Sequence, residues 1–106
     1  MKFIEIIEAI RTNTIYEFLE ENSINIKYES IDVYAENYID EDSKFCFLDI
    51  KEADRKKTFE WNGITYENLY TLTKLVDIVN DLIKQDPKMT SVGIIYEILD
   101  NILNGE

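Results

Sequence analysis

Thr58-Phe59-Glu60-Trp61-Asn62-Gly63-Ile64-Thr65-Tyr66 is the stretch on which the architecture turns. Asn-Gly stands between two alternating segments. A type I′ turn needs positive φ at both central residues, which Asn and Gly tolerate best, so a β-hairpin is predicted here. Just upstream, Lys44-Phe45-Cys46-Phe47-Leu48-Asp49-Ile50 is a compact strand signal. Both of its faces are largely apolar, which predicts an interior strand. The charged run from Lys51 to Lys57 between the two reads as a solvated turn.

Further towards the N-terminus, Ile24, Ile26 and Tyr28 alternate with polar residues and predict a strand. Ser30 to Ile39 supports two readings. Ile31, Val33 and Ala35 alternate as a strand would, whereas Ile31, Tyr34, Ala35 and Tyr38 fit one helix face. The β-branched and aromatic content favours the strand. Residues 2–21 carry apolar side chains at helical spacing, as one long helix or as two short ones restarting at a Thr14/Glu17 capping box.

Beyond the hairpin, Leu69, Leu72, Val76, Val79 and Ile83 mark a helix, widened by Leu75, Ile78 and Leu82. Pro87 requires it to end, and Asp86 with Pro87 predicts the cap of a last helix. That helix carries Met89, Val92, Ile95, Tyr96, Ile98, Leu99, Ile102 and Leu103, and Asn104-Gly105 would stop it. The expected fold class is therefore α+β. An N-terminal helix (or two short helices) precedes a three- or four-stranded antiparallel sheet, and two C-terminal helices pack on one face. A chain of 106 residues has room for a single domain spanning residues 1–106.

Composition narrows the chemistry. There is no histidine, and one cysteine, Cys46, lies between two phenylalanines. That removes the commonest general acid–base and a Cys-His nucleophile, so no enzyme and no catalytic residue are expected. The three glycines, Gly63, Gly93 and Gly105, are too dispersed to cradle a phosphate. No cofactor is expected, and no metal either. Asp40-Glu41-Asp42 begins like a calcium loop, but Lys44 and Phe45 occupy the places of a ligand and the glycine. No signal peptide or transmembrane run is read, and the unpaired cysteine favours a cytoplasmic setting.

Charge is the outlying property. Twenty-two acids against eleven bases give −11. Nine of those acids fall between Glu17 and Asp42 with only Lys27 among them, so that stretch holds −8 of the total. Such a chain should repel nucleic acid and anionic membranes and attract a basic protein. Asp32, Glu36 and Asp40 are four apart, so they share one face in a strand or in a helix, with Tyr34 and Tyr38 interleaved in a strand. Glu41 and Asp42 join the row, and Glu29 extends it one more step under the helical reading only. These eight residues are the expected partner-binding site, a file of carboxylates at something like the spacing of phosphates.

In size, acidity and lack of catalytic residues the chain resembles the small inhibitors made by phages and mobile elements, and bacterial immunity proteins. The resemblance is one of overall composition, with no motif behind it. It implies a non-catalytic inhibitor or decoy of anti-CRISPR, anti-restriction or immunity type, with DNA mimicry against a nuclease, effector or toxin. The alternative is an adaptor that self-associates, most simply as a homodimer, because the C-terminal helices look wider than one sheet needs. In that case the acids only keep the chain in solution.

Overall fold

The computed structural model describes residues 1–53 and 57–103. Its elements in order are α1 (Phe3–Arg11), α2 (Ile15–Glu21), a 3₁₀ turn (Tyr28–Ser30), β1 (Ile31–Glu36), β2 (Phe45–Asp49), α3 (Ile50–Ala53), β3 (Thr58–Trp61), β4 (Ile64–Thr71), α4 (Leu72–Gln85) and α5 (Ser91–Leu103). The strands form one antiparallel sheet in the order β2-β1-β4-β3. The architecture is α+β as the sequence implies: N-terminal helices, a four-stranded antiparallel sheet, then two C-terminal helices.

The N-terminal helical stretch is two helices. Asn13 adopts a φ of 59°, a left-handed conformation that helices do not continue through. Thr14 stands at the start of α2, but its hydroxyl meets that of Thr12 at 2.8 Å, so the anticipated capping box does not form. On α1 only the return half of such a box forms, Glu5 accepting the backbone N–H of Lys2 at 2.8 Å.

One face of the sheet carries Ile31, Val33, Ala35, Phe45, Phe47 and Leu69 into a core with α1, α2, α4 and α5. Phe3, Ile6, Ile7, Leu72, Leu75, Val79 and Ile94 are fully buried there. Each such side chain contributes about 1.5–3 kcal/mol relative to exposure. On the opposite face Tyr34 and Tyr66 are buried in a second, smaller cluster with Cys46, Leu48, Phe59 and Ile64. Phe59 joins the two tyrosines, its ring 5.1 Å from Tyr34 edge-on and 5.0 Å from Tyr66 in a stack.

Several expectations are corrected. Residues 24–27 lie in no strand, and Tyr28 opens the 3₁₀ turn. Ile24, Ile26 and Tyr28 are half-buried against the core, so they pack without pairing. β2 is an edge strand, and β1 is interior, buried on both faces over its first five residues. Met1 exchanges backbone hydrogen bonds with Phe45 at 2.7 and 3.3 Å, which covers part of the edge of β2. Leu69 belongs to β4, where a bulge opposite Val33/Tyr34 breaks the register. Trp61 is 63% exposed at the hairpin. The last helix begins at Ser91, and Thr90 caps it by accepting the N–H of Gly93 at 3.0 Å. Asp86 instead closes a turn, accepting from Lys88 at 3.2 Å. The proposed stop at Asn104-Gly105 and part of the 51–57 run lie outside the described residues.

Candidate protein-binding surface

The loop that joins β1 to β2 gathers the acids. β1 ends at Glu36, and Asn37 turns the chain with a φ of 70°, a region Asn enters more readily than most residues. The N–H of Asn37 donates to Thr65 O at 2.6 Å, which ties the start of the loop to β4. Within the loop, Ser43 donates its hydroxyl to Tyr38 O at 2.6 Å, and Asp40 accepts the N–H of Glu41 at 2.7 Å. These bonds fold residues 37–44 over towards α5.

Glu36, Tyr38, Asp40 and Asp42 line one concavity of about 320 Å³, together with Lys44. Asp40 and Glu41 then line a second, of about 460 Å³, with Tyr96, Glu97, Leu99 and Asp100 of α5. Tyr96 and Glu41 stand on the same concavity. The phenol is held above its ordinary value of 10, first by hydrogen bonding to Glu41, then by the charge of Glu41, by burial, and by Asp42 and Asp40. The tyrosine thus registers a negative field assembled from two segments more than fifty residues apart.

The expected row of eight divides. Glu36, Tyr38, Asp40, Glu41 and Asp42 come together at the loop, Tyr38 being 61% exposed. Glu29 is exposed, but in the 3₁₀ turn at the opposite end of β1. Five strand steps of about 3.3 Å put ~17 Å between the two ends of that strand. Asp32 is only 3% exposed and Tyr34 is wholly buried, both on the face of the sheet away from the main helices. Asp32, Tyr34 and Glu36 do share a face, as alternation along β1 requires. That face is covered over Asp32 and Tyr34, so no continuous outward file of carboxylates at phosphate spacing exists.

The sequence reading missed Tyr96, Glu97 and Asp100. The polar stripe they help to form was visible, since Glu97 and Asp100 are three apart on a helix. Its apposition to residues 40–42 was not, because no hydrophobic periodicity encodes where a polar loop lands. Two lysines stand nearby: Lys44 closes the loop, and Lys2 is bridged to it through the backbone. Among the described residues, the ion pair within 4.0 Å is Glu8–Arg11, on α1 and away from this loop.

Cys46 lies half-buried on the aromatic face, and its thiol is pushed up to about 11, by burial first and then by Glu36. It is a neutral thiol near pH 7, a poor nucleophile. Among the described residues no group of three or more His, Cys, Asp or Glu is arranged to hold a metal ion, and no helix is long and apolar enough to cross a membrane. The chain matches no family model, no curated protein and no solved structure.

Proposed function

We propose that this chain is a non-catalytic binding domain that captures a basic nucleic-acid-binding protein, acting as an inhibitor or decoy in the cytoplasm. The contact surface is loop 37–44 together with the outer stripe of α5. The observation that carries this reading is the concavity in which Asp40 and Glu41 of the loop meet Glu97 and Asp100 of α5. Clustering like charges costs compact-state stability, so acids gathered from two separate segments favour a use beyond solubility. What the surface shares with nucleic acid is local charge density and not a regular phosphate repeat.

The homodimer alternative drew on the breadth of the apolar faces of α4 and α5. Val76, Ile78, Leu82 and Ile83 of α4 are packed against the core, so most of that breadth is used within one chain.

The test is capture by the immobilised chain, compared with a triple reversal, Asp40→Lys, Glu41→Lys and Glu97→Lys. A basic nucleic-acid-binding protein should be retained by the native chain, released near ~0.5 M salt, and lost from the variant. Retention unaffected by salt, or undiminished by the reversal, refutes the reading.

A further inference from the structure

The acids at this surface rim an apolar floor. Val92 and Tyr96, one turn apart on α5, are 48% and 53% exposed. Leu99 continues the line at the bottom of the groove shared with Asp40, Glu41 and Glu97. On the other side of Glu41, a groove of about 330 Å³ has Ile4, Val92 and Ile95 on its walls, with Asp42 and Lys2 at its margin. The two grooves share Glu41 and run along the same stretch of α5. From Val92 to Leu99 is seven residues, or about 10 Å of helix axis.

A face that serves only to solvate a protein needs no such floor. Exposed apolar side chains bordered by charge are the pattern of a contact surface, where an apolar centre is desolvated and a polar rim selects the partner. The sign of the rim fixes the partner's sign. The floor is one helix wide and is bordered by the loop carboxylates and by Glu97, which suits a helical partner.

We infer that the partner docks through a basic amphipathic helix, seating apolar side chains over Val92, Tyr96 and Leu99 while its Lys and Arg residues reach Asp40, Glu41 and Glu97. This inference rests on the binding role proposed above and names the element that would be bound. Such a helix presents anchors at i, i+3, i+4 and i+7, which match two turns of α5.

The test uses the intact chain and two synthetic 18-residue peptides of identical Leu and Lys content, one ordered as an amphipathic helix and one scrambled. Affinities are measured by calorimetry near ~0.15 M salt, and contacts by amide chemical shifts. The ordered peptide should bind about tenfold more tightly, the order expected for desolvating one aliphatic side chain. Its shifts should fall in residues 38–44 and 92–100 and spare Trp61. Val92→Asn, a half-exposed position, should remove most of the difference while leaving the melting temperature and the scrambled peptide's affinity unchanged. Equal affinities overturn the inference and leave the binding role standing on charge alone. Shifts centred on the hairpin also overturn it. Failure of both cationic peptides to bind overturns the inference and the proposed role together.

Discussion

Raising the pH from 9 to 12 should destabilise this domain progressively, in part through two acids on the face of the sheet away from the main helices. Tyr34 is wholly buried there, and its phenol is pushed up to about 12 by burial first, then by Asp32 and Cys46, against a hydrogen bond from Asn68. In the unfolded chain it ionises near 10, while in the fold it stays neutral until about 12. Its contribution is therefore complete below pH 10 and is lost between 10 and 12. Two pH units at 1.36 kcal/mol each set an upper limit of about 2.7 kcal/mol. Only one layer of side chains covers this face, and solvent screening reduces the expectation to about 1–2 kcal/mol. Cys46 behaves alike one unit lower: its thiol, ordinarily at 9, is held to about 11, so its contribution fades between those values. It is half-buried, and about 1 kcal/mol is the corresponding figure. The assay is urea denaturation under reducing conditions at half-unit steps from pH 8.5 to 11.5, on the native chain, Tyr34→Phe and Cys46→Ala. Cys46→Ala should flatten the fall between 9 and 11, and Tyr34→Phe the fall above 10. Three parallel curves would refute the burial argument for both groups.

Two further outcomes follow from the packing. Asp32→Lys should cost about 3–5 kcal/mol, because an ammonium would replace a carboxylate at a site 3% exposed; a urea melt as stable as the native one would return Asp32 to the surface. Ser91, 4% exposed, accepts from Arg11 at 2.8 Å and donates to Glu8 at 2.6 Å, joining α1 to α5. Ser91→Ala should cost about 1–3 kcal/mol by thermal denaturation, since both charged partners lose a hydrogen bond.

The hairpin could be read directly because its turn chemistry is local: Asn62 and Gly63 take φ values of 52° and 76°, as the Asn-Gly signal requires. The segment favoured as a strand is one over Ile31–Glu36, but its central place in the sheet was not legible. A central strand buried on both faces loses its alternation, and Asp32 within it looks like a surface residue. At β4, the bulge lets Leu69 and Tyr70 both pack on the helical side, which imitates helical spacing with Leu72 and displaced the predicted helix start. β2 has apolar residues on both faces because one faces the helices and the other the aromatic cluster, and neither fact distinguishes an edge from an interior position. Of the candidate site, the density of acids around residues 36–42 was legible. Which of them point outward depended on the cover over the second face of the sheet, and the contribution of α5 depended on a tertiary contact between polar groups.

Carboxyl-selective chemical labelling read by mass spectrometry, with and without the captured partner, addresses the account most directly. Asp40, Glu41, Asp42 and Glu97 should label readily in the free chain and become protected together on binding, while Glu29 and Glu60 stay reactive and Asp32 is inert throughout. Protection at Glu29 or Glu60 with the loop and α5 still fully labelled would contradict it.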